Sequence, residues 1–185
     1  MALNTLSRKV LLALLLSGLL SPAWSGESTD DLWEVSAHGS LFLYAAHGET
    51  VHGHQFGFLK NAGHCDQDML YITWSTSESK VSELQGVEAT INFNLDGERF
   101  QLELPLLRTF EFHPGVLSRL IFSNFPASDG FIELLKRGQS IEVAINSPSE
   151  LRQLMDVQMD SFNLEGLADA RSEAMRTCIS GRVSG

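Results

Sequence analysis

The stretch VEATINFNLDGERFQLEL, residues 87–104, decides the fold. It consists of two alternating runs hinged on Asp96-Gly97. Val87, Ala89, Ile91, Phe93 and Leu95 form the first, and Phe100, Leu102 and Leu104 the second. Period-two alternation places every second side chain on the same face of a strand. Asp-Gly suits a type I′ turn, whose two central residues both need positive φ. A two-residue loop then pairs Phe93 with Phe100, Ile91 with Leu102, and Ala89 with Leu104. One face of this hairpin is wholly apolar, while the other carries Glu88, Asn92, Asn94, Arg99, Gln101 and Glu103. Such a hairpin covers a core with one side and meets water with the other, as antiparallel sheets do.

Upstream, the aromatic and aliphatic runs 33–35, 41–45, 51–59 and 69–74 read as further strands. In 51–59 the alternation places His52, His54, Phe56 and Phe58 on one face and Gly53 and Gly57 on the other. The glycines mark a bulge or a close backbone approach. Downstream, 109–112, 117–122 and 141–145 are predicted strands. Between the last two, Ser128 or Asp129 caps a short helix that runs through Leu135 and is ended by Gly138. Met155, Val157 and Met159 alternate again, with Phe162 and Leu164 out of phase, as at a bulge or a strand end. From Leu167 the period becomes helical, and Leu167, Ala170, Ala174, Met175 and Cys178 share one stripe. The fold class is therefore mainly β, with α+β as a variant. An antiparallel sandwich or strongly curved sheet is expected, with one short helix and a C-terminal helix.

Residues 1–25 read as a secretory signal. Arg8 and Lys9 precede an unbroken apolar stretch over 10–20, and Pro22-Ala23-Trp24-Ser25 supplies small residues at the cleavage site. The apolar stretch is shorter than the roughly 20 residues that span a membrane. No Cys follows the cleavage point to accept a lipid anchor. Residues 26–185, which no repeat or linker divides, form one exported β-rich domain that begins with a small polar segment over 26–31. Cys65 and Cys178 are the only cysteines, and an even count in an exported chain reads as one disulfide. That bridge closes a loop of about 110 residues, for which chain entropy gives about 4.7 kcal/mol, and it ties the last helix to the middle of the fold. There is no CxxC pair for thiol exchange. A single bridge and the lack of any Asn-x-Ser/Thr acceptor favour a Gram-negative periplasmic or secreted location. The ending Phe162-x-Leu164-x-Gly166, followed by an Ala-rich helix and a final Cys, is similar to the ending of several small Gram-negative periplasmic proteins. This similarity implies that location and no function.

The chain has 13 Lys and Arg against 23 Asp and Glu, for a net charge of −10. The leader holds two of the bases and none of the acids, so cleavage leaves 11 against 23, a net −12. That balance excludes nucleic-acid and anionic-lipid binding, which need basic patches, and favours a basic protein partner. Five of the six histidines fall between His38 and His64. His52 and His54 on one strand face, with His47 and His64 beside them, are the candidate ligands of a Zn²⁺ or Cu²⁺ site. Asp66-Gln67-Asp68 lacks the glycine and terminal Glu of a calcium loop. No G-x-S-x-G elbow, phosphate loop or dinucleotide fingerprint appears, and His113 near Ser118 has no third partner in the sequence. The expectation is a soluble exported protein that is not an enzyme and needs no cofactor. It would be a binding or accessory protein, inhibitor- or immunity-like, with an acidic interaction face. A periplasmic metal-binding protein and a hydrolase without a recognisable motif are the alternatives.

Overall fold

A computed structural model describes residues 32–113 and 117–181. The predicted leader and the polar segment 26–31 lie outside them. Among the described residues nine strands form one antiparallel sheet: β1 (Trp33–His38), β2 (Leu41–His47), β3 (Gln55–Asn61), β4 (His64–Thr76), β5 (Glu88–Leu95), β6 (Glu98–His113), β7 (Leu117–Ala127), β8 (Ser140–Ser147) and β9 (Met159–Asn163). Their order in the sheet is β1-β2-β3-β4-β7-β6-β5-β8-β9.

The β5–β6 hairpin has the register that alternation dictates, with Phe93 opposite Phe100, Ile91 opposite Leu102 and Ala89 opposite Leu104. Asp96 and Gly97 turn it at φ 49° and 98°, both in the left-handed region that a primed turn requires. β6 is also the corner of the molecule. Its first half, Glu98 to Pro105, pairs with β5, and its second half, Leu106 to His113, pairs with β7. Changing neighbours midway folds the sheet over into two layers, and the inner faces meet through aromatic rings. Phe56 of β3 lies 6.4 Å from Phe93 and 5.7 Å from Phe162, centroid to centroid. This is the sandwich-like arrangement expected from the sequence, made from one bent sheet.

The gaps left at the bend are plugged. Helix α1 (Asp129–Leu135) starts at Ser128, whose hydroxyl accepts from the Phe131 amide, and it inserts Phe131 against Phe58 and Phe100. A 3-10 turn at Ser79–Leu84 packs on β6 and β7 and buries Val81. Helix α2 (Ser149–Gln153), which no sequence signal announced, follows β8 and buries Leu151. Helix α3 (Leu167–Gly181) buries Leu167, Ala170, Ala174 and Cys178 of the expected stripe, with Met175 partly buried, and lies along β1 and β2. Cys178 is bonded to Cys65 of β4, as the cysteine count required. Among the described residues no helix is long and apolar enough to cross a membrane.

Two local expectations need correction. β3 begins at Gln55, so His52 and His54 lie in the preceding loop and share no strand face. Near the end of the chain, Met155 and Val157 precede β9. The buried positions there are Asp160, Phe162 and Leu164, with Met159 half exposed. Phe162 and Leu164 are thus in phase. The acid between the predicted runs is what disguised the pattern, because Asp160 occupies an inward position.

Candidate functional site

β1 and β9 terminate the sheet without pairing with each other, yet β9 is fastened to the loop between β2 and β3. The Glu49 amide donates to the Ser161 carbonyl at 2.9 Å, and the Trp33 indole donates to the Asn163 carbonyl at 3.1 Å. At the centre of the fastening is the Asp160 carboxylate, which accepts from the amides of Thr50 (2.8 Å), Val51 (2.9 Å) and Ser161 (2.8 Å). Its Oδ2 is also 2.9 Å from His54 Nδ1. The loop approaches this closely because Gly48 has no side chain, since a Cβ there would strike Asp160.

His54 is fully buried, stacked on Trp74 with centroids 3.9 Å apart, and its Nε2 lies 3.2 Å from the Ser75 carbonyl. Burial holds its pKa below the usual histidine value, against the pull of the Ser75 and Asp160 oxygens. For Asp160, burial works against the charge, but the amide donors outweigh it and hold the carboxyl below the usual range. Trp74 in turn donates to the Val157 carbonyl at 2.6 Å, and Thr76 to that of Leu154 at 2.6 Å. The whole approach to β9 is thereby tied to the end of β4.

A second polar cluster lies under α3. Lys60 and Asp68 are both buried and pair at 2.5 Å, Tyr44 donates to Asp68 at 2.7 Å, and Arg171 of α3 binds Asp68 at 2.8 Å and Asp129 at 2.8 Å. Burial, followed by the Asp68 charge, pushes the Tyr44 phenol far above its ordinary pKa. Arg171 reaches from the helix into the sheet, and the Cys65–Cys178 bond fixes the same helix farther along. In both clusters the buried groups face protein partners.

The four histidines proposed as metal ligands are not brought together. His54 is inside. His52 is outside, stacked on His47 with centroids 4.0 Å apart and planes within 16°. His47 is engaged by the His52 carbonyl at 2.7 Å and Glu34 at 3.2 Å, and His64 is exposed at the start of β4. Among the described residues no group of three or more His, Cys, Asp or Glu side chains is arranged to hold an ion.

An open surface lies on the outer face of β5, β6 and β8. Asn94 stands between Arg99 and Glu142, and Asn92 between Gln101 and Ala144. These six residues, together with Phe93 and Phe100, line a cavity of about 430 Å³. Thr90 donates to Glu103 at 2.7 Å at its margin. Sequence reasoning identified the outward set on β5 and β6 and missed Asp160, Lys60 and Asp68. Each of those three interrupts an inward apolar period: Lys60 follows Phe56 and Phe58, Asp68 precedes Leu70 and Ile72, and Asp160 precedes Phe162 and Leu164. No family model matches the chain, and no curated protein or solved structure matches it either.

Proposed function

We propose that this is an exported, non-catalytic binding or accessory protein that recognises a basic protein partner with the outer face of β5, β6 and β8. One contrast carries the reading. The buried ionisable groups are paired with one another, whereas among the described side chains of this face only the Asn94 carbonyl (to the Gly97 amide) and Glu103 (to Thr90) are engaged by hydrogen bonds, and Asn92, Gln101, Arg99 and Glu142 border a cavity. Glu88, Glu103 and Glu142 outnumber Arg99 there, in keeping with the net charge of −10. Open amide side chains supply both donors and acceptors, and a surplus of acid steers a cationic partner. The disulfide is consistent with export.

The test is capture from an exported-protein fraction, followed by affinity measurement on the purified pair. The expected partner is basic, its affinity falls at least tenfold between about 50 and 300 mM salt, and Glu103→Lys with Glu142→Lys abolishes binding while leaving the fold intact. An acidic partner, or a tight complex indifferent to both salt and the double substitution, would overturn the proposal.

A further inference from the structure

The two outer faces of the bent sheet differ in kind. On β5, β6 and β8 the outward side chains are polar, as alternation requires of a sheet that meets water. On β2, β3, β4 and β7 the positions that alternate with the core are held by Leu43, Ala45, Leu59, Met69, Tyr71 and Ile121. Their sequence neighbours Tyr44, Phe58, Leu70, Ile72 and Leu120 are the ones buried in the core. Register sets the outward residues side by side. Leu43 is opposite Leu59 and Leu59 opposite Met69, while Ala45 is opposite Gly57 and Gly57 opposite Tyr71. All but Ala45 are partly exposed, and Phe110 of β6, opposite Arg119, extends the patch with 37% of its surface open. We propose that a second copy of this chain covers this face, so that the protein is a homodimer packed outer sheet to outer sheet. The inference does not rest on the binding face proposed above, which lies on the opposite side of the molecule.

Charge selects the occupant. This layer runs β1-β2-β3-β4-β7-β6, with its midline between β3 and β4. Exposed Glu34 stands on β1 at one side, in the row of Ala45 and Gly57. Arg119 of β7 and exposed Arg108 of β6 stand at the other, paired with Phe110 and Ile121. A two-fold axis in the interface, running along the strands through the midline, lays β1 of one copy over β6 of the other and β3 over β4. Acid then faces base at both sides, and the apolar centre faces itself, as an isologous interface requires. Two such faces pack as the sheets of a sandwich do, with strands within about 30° of each other. Six strands about 4.8 Å apart, each about seven residues long, make a face of order 600 Å² in projection, against the roughly 800 Å² per partner that a specific interface buries. The acids of β5, β6 and β8 point away from the partner copy, which keeps most of the negative charge at a distance.

Sedimentation equilibrium tests it. In 0.15 M salt the protein is expected to be dimeric at about 50 μM and to dissociate on dilution. Leu59→Lys with Met69→Lys, outside the core, is expected to give a monomer with an unchanged circular dichroism spectrum. Arg108→Glu sets like charges against each other twice and is expected to weaken the dimer about fivefold or more, and adding Glu34→Arg is expected to tighten it again. A protein monomeric at about 200 μM would overturn the proposal, and if that monomer bound neutral phosphatidylcholine vesicles the face would belong to a lipid surface instead. A dimer indifferent to Leu59→Lys with Met69→Lys would overturn it too, as would a charge-swapped double variant no tighter than Arg108→Glu alone. Should the lysine variant fail to fold, the charge swap decides, because Glu34 and Arg108 are exposed.

Discussion

Asp160 shows what one side chain does when it takes a position that periodicity reserves for an apolar residue. Its carboxylate gathers two amides from a loop more than a hundred residues away in sequence, joining the two layers where the sheet does not close. Asp160→Ala leaves the part-buried Thr50 and Val51 N–H groups and the buried His54 ring without their acceptor, at up to about 1–3 kcal/mol each. A loss of about 3 kcal/mol in urea unfolding is expected, and a loss below about 0.5 kcal/mol would show that the loop stays attached without it. Asp68→Ala is expected to cost more, about 3–5 kcal/mol, because it strands the buried Lys60 and the reaching Arg171. Adding Lys60→Met to Asp68→Ala should recover part of that loss, since the orphaned ammonium goes with it. A double mutant no more stable than Asp68→Ala would show that the ammonium was never a burden.

Among the elements, the β5–β6 hairpin was readable to the exact register because its information is local: two alternating runs and one turn dipeptide suffice. Helix α1 was readable for the same reason, through Ser128 and Gly138. The corner at β6 was not, since 109–112 reads as a separate strand and nothing within it reports which neighbour it chooses. The contact between His54 and Asp160 was not readable either. His54 alternates with Phe56 and Phe58 as strand residues do, and only the distant Asp160 draws it into a loop. Helix α3 lies between these cases. Its inward stripe is local, but its anchoring by Cys65 and Asp68 is long-range. The bridge closes a separation of 113 residues, for which the chain-entropy estimate is about 4.7 kcal/mol. Replacing both cysteines by alanine is therefore expected to lower urea stability by roughly 2–5 kcal/mol, with α3 amides losing exchange protection before those of β5 and β6. Retention of full stability would mean that Arg171 and the apolar stripe hold the helix alone.

Across the whole molecule, two opposing effects set the response to acid. Neutralising surface carboxylates relieves the self-repulsion of a chain with 23 acids and 13 bases, which favours the compact state. His54 acts the other way. Its folded pKa lies below the unfolded value, so the unfolded chain binds its proton more readily. Its contribution is complete above about pH 6.5 and is lost as pH falls through the folded value. Asp160, also depressed, adds stability that is present above about pH 3.8 and lost below it. Salt separates the two effects, because surface repulsion is screened over about 8–10 Å at moderate ionic strength whereas the buried pair is not. In 0.15 M salt or more, the urea midpoint is expected to hold level from pH 8 to about 6.5, decline below that, and drop again below about pH 4. His54→Gln should remove the first decline and leave the second. A midpoint that rises as pH falls from 6.5 to 5 at high salt would mean that His54 gains its proton on folding, with the Asp160 and Ser75 oxygens outweighing its burial.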